Sequence, residues 1–296
     1  MNDAQLILHS LEPVVRKCTI GNVKEDGFFI MSVRAAFAKN YEVNRFIHAR
    51  DASADAFIVT SALRGMCEDI IALKWLATFE KRDRDEAVGV MMMKSVLEFM
   101  QQQTAFFGKY RPSQPILETK DASAELHALK QRLRAMRKGN RWRKHREWPS
   151  VREMAEPTGL LPLYDFLYAA TSSFVHYSPN NLIRMGKVVS GVDRMYFSTN
   201  HFADYYNAFN RFYGLFLFVT LCTTFSATLG SEVEMRPAVE KLMKLVDNEL
   251  RWPELVTMEE MNVPSVSQML RLMAHSARKL STSQSVWTWQ EAGDGS

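Results

Sequence analysis

Two short groups of residues have side chains that could carry out chemistry. Arg64 and Glu68 lie four residues apart, and Ser172 and His176 repeat that spacing later in the chain. A spacing of four places both members of a pair on one face of a helix. An imidazole can transfer a proton and a guanidinium can stabilise a charged transition state, so the set could cleave a phosphodiester without a metal. Arg184, shortly after His176, could supply the same cation.

The same residues could instead form a satisfied polar network that joins two helices. Arg64 and Glu68 lie in an otherwise apolar seam, where a charge is costly to bury unless it is paired. In the catalytic interpretation, Glu68 would hold Arg64, and Ser172 or Tyr168 would orient the imidazole of His176. The residues alone leave the catalytic and the structural interpretation open.

A strongly basic segment lies between Lys130 and Arg146, with nine cations and no acid. The whole chain has a net charge of only +4, so the basicity is local. Cations could bind a phosphate backbone while a nearby tryptophan stacks on a base, although an acidic protein would also suit this segment. The candidate nucleic-acid-binding residues are Arg134, Arg137, Lys138, Arg141, Trp142, Arg143, Lys144 and Arg146.

Two long predicted helices are expected to position the Arg64/Glu68 and Ser172/His176 pairs. Residues 51–79 carry an apolar face that includes Leu63, Met66 and Ile70, and a second seam that contains Arg64 and Glu68 suggests burial on two sides. Residues 160–177 predict another helix, with Pro162 in its first turn and His176 in its last. There the helix dipole favours a protonated imidazole.

The composition predicts an all-α fold, a multi-helix bundle around a buried central helix with a basic helical arm inserted. Only 13 Gly and 10 Pro interrupt 296 residues, and alternating strand patterns are scarce. We predict two halves of a helical core at 1–107 and 160–250, a basic arm at 108–159, and a C-terminal helix with a flexible tail at 251–296. Further expected helices cover 4–18 (interrupted near Pro13), 24–48, 88–107, 121–138, 202–229, 233–250 and 266–280.

Other features limit the possible functions. No charge occurs between Arg211 and Glu232, a length that could span a bilayer, but the threonines in this stretch favour a buried core helix. Three widely separated cysteines and the absence of a secretory signal favour the cytoplasm. Zinc spacings and phosphate-binding glycine loops are missing, so neither a metal nor a cofactor is expected.

The Arg64/Glu68 pair and the segment Ser172–Ser178 resemble a bacterial family of all-helical proteins catalogued as a domain of unknown function. The resemblance covers about residues 20 to 230, and that family is distantly similar to the HEPN nuclease fold. HEPN ribonucleases carry an Arg followed four to six residues later by a His. No Arg precedes His176 at that spacing here, so Arg64 or Arg184 would have to supply the cation.

This resemblance implies a metal-independent ribonuclease that acts in phage defence or as a toxin. It also implies a homodimer, because HEPN-like folds often assemble a shared site. The alternative hypothesis is a non-catalytic helical adaptor that binds nucleic acid or an acidic protein through the basic arm. The two hypotheses differ in the role of His176, which is catalytic in the first and structural in the second.

Overall fold

A computed structural model describes residues 2–22, 25–49, 55–117, 122–140, 142, 147–176, 178, 182, 185–188 and 195–254, with backbone only at 138–140, 173, 187–188 and 195. The fold of these residues is all-α, as predicted, with ten helices and one short antiparallel hairpin. The elements are α1 (Asp3–Ser10), α2 (Glu12–Thr19), α3 (Phe28–Ala49), α4 (Ala56–Leu76), α5 (Lys81–Tyr110), α6 (Ala122–Asn140), α7 (Val151–Ala155), α8 (Leu161–Val175), β1 (Gly186–Val188), β2 (Met195–Phe197), α9 (Ala203–Phe225) and α10 (Glu232–Asp247).

The chain forms two compact units. The first contains Met1–Gly21, Val33–Ile70 and the part of the chain from Pro162 onward, and the second contains Asn22–Ser32 and Ile71–Leu161. Helices α3 and α4 each contribute residues to both units. The first unit holds the Arg64 and His176 positions, and the second holds the basic segment.

Helix α9 is the core helix of the first unit. Nearly all its residues from Phe209 to Phe225 are buried, because its sequence is apolar on every side. Its buried threonines are satisfied locally, since Thr220 and Thr223 donate to carbonyls one turn earlier. By length and composition α9 could also cross a membrane, but 83% of its most apolar window is buried within the protein, and core helices pass the same test.

Polar and aromatic contacts fix α4 and α8 against α9. The Thr60 hydroxyl donates to Asn210 Oδ1 at 2.9 Å, and Asn210 Nδ2 donates to the Ala56 carbonyl at 2.7 Å. The rings of Phe57 and Phe174 lie 4.7 Å apart, and both contact Tyr206. The two helices that carry the candidate chemistry are therefore held by buried and directional contacts.

The second unit is built around α5 and α6. Leu97 on α5 and Leu129 and Leu133 on α6 belong to one buried apolar cluster. Four aromatic rings form a second cluster nearby: Trp75, Phe79, Trp142 and Trp148. Helix α7 begins with a capping box, in which Ser150 and Glu153 satisfy each other's backbone amides.

The helices predicted within the described residues are confirmed, with shifted ends. The first breaks at Leu11, ahead of Pro13, and α5 continues through Gly108 to Tyr110, although a loop was expected from Gly108. One glycine near a helix end lowers the stability of the helix only slightly, and the space around Gly108 is open. The strands β1 and β2 pair in a stretch for which the sequence analysis predicts no helix. The helix expected at 266–280 and the first residues of the helix expected at 51–79 lie outside the described residues.

Candidate functional site

Helix α4 presents Arg64 and Glu68 on one face, as their spacing predicts. Arg64 Nε donates to Glu68 Oε1 at 2.8 Å. Both side chains are partly covered, with 20% of the arginine and 29% of the glutamate exposed. Glu68 raises the pKa of Arg64 through this hydrogen bond, against a smaller opposing effect of desolvation. The guanidinium is therefore a permanent cation whose orientation Glu68 fixes.

His176 meets this guanidinium from the end of α8. Arg64 Nη1 lies 3.2 Å from His176 Nε2. Because a guanidinium can only donate, this contact is a hydrogen bond in the tautomer whose proton lies on Nδ1 and whose Nε2 accepts. The His176 amide donates to the Ser172 carbonyl at 2.9 Å, which continues the helical turn beyond Val175. This backbone hydrogen bond and the contact with Arg64 place the imidazole at an exposed helix end.

Two tyrosines of α8 complete the site. The Arg64 guanidinium stacks over the Tyr168 ring, 4.5 Å from its centroid, and Tyr164 packs against Tyr168 at 5.4 Å. Burial raises the pKa of the Tyr164 phenol, and the charge of Glu68 adds to that shift. The Tyr164 phenol thus stays protonated and can donate a hydrogen bond. Tyr168 is 39% exposed, so the site opens to solvent on that side.

The structure brings together three of the five predicted catalytic residues, Arg64, Glu68 and His176. Ser172 is adjacent, but its recorded contact with His176 is through its carbonyl rather than its hydroxyl, and Tyr168 stacks on Arg64 rather than on the imidazole. Arg184 lies outside the described residues. Sequence reasoning did not identify Tyr164, although its four-residue spacing from Tyr168 was a signal that could have found it.

The basic segment is only partly described. Arg132 pairs with Glu86 at 2.9 Å, and Arg134 lies 3.5 Å from Glu147. Arg137 lies on α6, and the backbone of Lys138 is helical. The other predicted nucleic-acid-binding cations lie outside the described residues: Arg141, Arg143, Lys144 and Arg146.

Trp142 lies in a buried aromatic cluster, whereas the sequence suggested an exposed ring that stacks on a base. The side chain is only 8% exposed, and its ring lies 5.7 Å from Trp75, 5.4 Å from Trp148 and 6.3 Å from Phe79. The ring is buried because its large apolar area is better covered by other aromatic rings than by water. The buried ring leaves little surface on which a base could stack, and base stacking on Trp142 stays a prediction.

No group of three or more His, Cys, Asp or Glu side chains within the described part of the chain is arranged to hold a metal ion. The Arg64 site offers an imidazole, a guanidinium whose orientation Glu68 fixes, and the phenol groups of Tyr164 and Tyr168. A guanidinium can bind an anionic group, and an adjacent imidazole can accept a proton from a neighbouring hydroxyl. A phosphodiester flanked by a hydroxyl has both features.

Comparison with known proteins assigns the family. Residues 39–191, just over half of the chain, match the sequence pattern of a family of unknown function, DUF5677, and the protein belongs to this family. The match includes α4, α6 and α8, and so both the Arg64 site and the basic segment. The expected membership of a helical family of unknown function is confirmed. Searches of the curated proteins and of the solved structures returned no match.

Proposed function

We propose that the protein is a metal-independent ribonuclease whose catalytic residues are His176 and Arg64. The observation that carries this proposal is the 3.2 Å approach of Arg64 Nη1 to His176 Nε2, with Nε of the same guanidinium held by Glu68. A proton acceptor and a phosphate-binding cation are thereby adjacent at a solvent-accessible position. The HEPN-like relationship and a role in phage defence or as a toxin belong to the same proposal.

In the proposed reaction a phosphate of RNA approaches Arg64 and takes over the Nη1–H that now contacts His176. Nε2 is then free to accept the proton of the 2′-hydroxyl. The 2′-oxygen attacks phosphorus, the bond to the 5′-oxygen breaks, and that oxygen leaves with the electron pair and takes a proton from imidazolium or water. The products are a 2′,3′-cyclic phosphate and a 5′-hydroxyl. Arg64 stabilises the charge of the pentacoordinate phosphate, and Glu68 keeps it in position.

The test is cleavage of a labelled RNA by the purified full-length protein in EDTA. We expect His176→Ala and Arg64→Ala each to lower the rate by about 10²- to 10⁴-fold, the typical contribution of a proton-transfer or oxyanion-stabilising group. His9→Ala is the matched control, since that imidazole is exposed on α1 and 72% of its side chain is in solvent. Circular dichroism must show that every variant is folded. Absence of cleavage by wild-type protein, or equal rates for His9→Ala and His176→Ala, would contradict the proposal.

A non-catalytic adaptor is the second candidate function. The described arginines of α6 favour it, because the side chains of Arg132 and Arg134 are about half exposed, at 54% and 47%. In this case the basic segment binds nucleic acid or an acidic protein, and the Arg64 network only joins α4 to α8. Binding of RNA that persists in His176→Ala but weakens in Arg134→Glu, without any cleavage by wild-type protein, would favour the adaptor.

A further inference from the structure

One side of helix α5 carries a regular row of five apolar side chains and one glutamine. Their spacing alternates between four and three residues, as in the contact positions of a coiled coil. The members of the row are Met92, Val96, Phe99, Gln103, Phe106 and Tyr110. Alternating steps of four and three keep them on one side of the helix over about 27 Å. We call this side the α5 face.

The α5 face is exposed, although the other side of the same helix is packed. Leu97 lies on the opposite side and is buried in the cluster with α6. By contrast, 68% of Phe99, 56% of Phe106 and 57% of Tyr110 are exposed. Since a whole aromatic side chain has about 150–250 Å² of surface, the face exposes on the order of 600 Å², most of it apolar. An exposed apolar patch of this size marks an interaction surface.

The charge of the α5 face restricts the kind of partner. Between Met91 and Gly108 the sequence contains only two charged residues, Lys94 and Glu98. These two pair with each other at 2.8 Å. A phosphate backbone or an anionic membrane is attracted by clustered cations, which this face lacks. The composition therefore favours an apolar protein surface as the partner.

A second copy of α5 supplies such a surface. The spacing of the row is the same in both directions about position 101, so two antiparallel copies related by a two-fold axis are in register. Each aromatic ring then faces a residue without one: Tyr110 faces Met92, Phe106 faces Val96, and Phe99 faces Gln103. A parallel pair would instead place each ring against its own copy and both Lys109 cations at the same end of the pair. Antiparallel helices also have favourably opposed dipoles.

We propose that the protein forms a homodimer through two antiparallel α5 faces. Two copies would bury about 1,200 Å² in total, the lower limit of stable specific interfaces. We therefore expect a Kd on the order of 10 µM. This dimer differs from the one implied by the HEPN-like resemblance, because α5 belongs to the second unit, whereas Arg64 and His176 belong to the first. It does not depend on the proposed ribonuclease activity.

The experiment is sedimentation velocity of the full-length protein between about 1 and 100 µM, a range in which wild-type protein should pass from monomer to dimer. Phe99→Asp should raise the Kd by about 100-fold or more, because each copy would bury an unpaired charge. Ile58→Asp is the matched control and should not change the Kd, since Ile58 is 66% exposed on α4 in the first unit. Below the Kd the Phe99 ring is in solvent, so a substitution there should leave the melting temperature of the monomer nearly unchanged.

The orientation is tested by mixing the Met92→Cys and Tyr110→Cys proteins under mild oxidation. An antiparallel pair should give a disulfide between position 92 of one copy and position 110 of the other, identified by mass spectrometry. Each variant alone should link poorly, because equal positions at the ends of the row lie about 27 Å apart. The native cysteines Cys18, Cys67 and Cys222 are buried and should not compete.

Three results would overturn the proposal. The first is wild-type protein that stays monomeric at about 100 µM; if that monomer sediments with phospholipid vesicles, the face binds a lipid surface instead. The second is equal association of Phe99→Asp and Ile58→Asp, which places the interface elsewhere. The third is efficient disulfide formation by Met92→Cys alone, which indicates a parallel pair.

Discussion

Arg64 and His176 are separated by 112 positions in the chain, yet Nη1 of one lies 3.2 Å from Nε2 of the other. The contact joins α4 to the end of α8 within one compact unit. It forms because Thr60, Asn210 and the aromatic rings around Tyr206 fix the two helices on α9.

Glu68→Gln is expected to lower the free energy of unfolding by about 1–2 kcal/mol, because a partly buried guanidinium loses a charge-assisted hydrogen bond. Urea denaturation measures the change. Asp69→Asn is the matched control on the same helix, since its pair with Lys39 is more exposed and should contribute less than about 1 kcal/mol. Equal losses for the two variants would show that Glu68 holds Arg64 no more strongly than a surface pair does.

Trp142→Ala is expected to destabilise the protein by about 3 kcal/mol or more, because it leaves a cavity among Trp75, Phe79 and Trp148. Phe99→Ala is the control, because that ring is 68% exposed on α5 and its loss should change stability by only about 0.5 kcal/mol. Thermal or urea unfolding provides the measurement. A Trp142→Ala protein of normal stability that has lost RNA binding would instead support the stacking role suggested by the sequence.

His48 should make the protein less stable at mildly acidic pH. Its pKa falls from 6.5 to about 4 on folding, so between these values the unfolded state binds a proton that the folded state does not. Stability is then unaffected above about pH 6.5, falls as the pH is lowered toward 4, and loses on the order of 2 kcal/mol by pH 5. Urea unfolding of wild-type protein and His48→Asn at pH 7.5 and 5 isolates this contribution. Parallel pH dependences of the two proteins would contradict it.

The three cysteines should not react with a thiol reagent while the protein is folded. Cys18, Cys67 and Cys222 are all buried. Burial raises the pKa of Cys67 to about 12 and also raises that of the other two thiols, so little thiolate forms. Titration with a chromogenic disulfide at pH 8 should detect no fast thiol in native protein and three after denaturation. A rapidly reacting thiol in the native protein would show that one cysteine is accessible.

Local sequence was sufficient to predict the helices and the pairing of Arg64 with Glu68 on α4. The periodic apolar residues of 51–79 predicted a helix with Leu63, Met66 and Ile70 on its buried face, and all three are buried. The spacing of Arg64 and Glu68 predicted their contact. These features depend on the 3.6-residue repeat of the helix, which neighbouring residues determine among themselves.

Only the tertiary structure decided which distant residues meet. The sequence predicted Arg64 or Arg184 as the partner of His176, and Tyr168 or Ser172 as the group that orients its ring. In the structure Arg64 contacts His176, and the Arg64 guanidinium stacks over the Tyr168 ring. It also buries Trp142 within a charged segment whose composition suggested exposure. Such contacts depend on how helices pack across long separations, and a residue's spacing from its neighbours does not encode that packing.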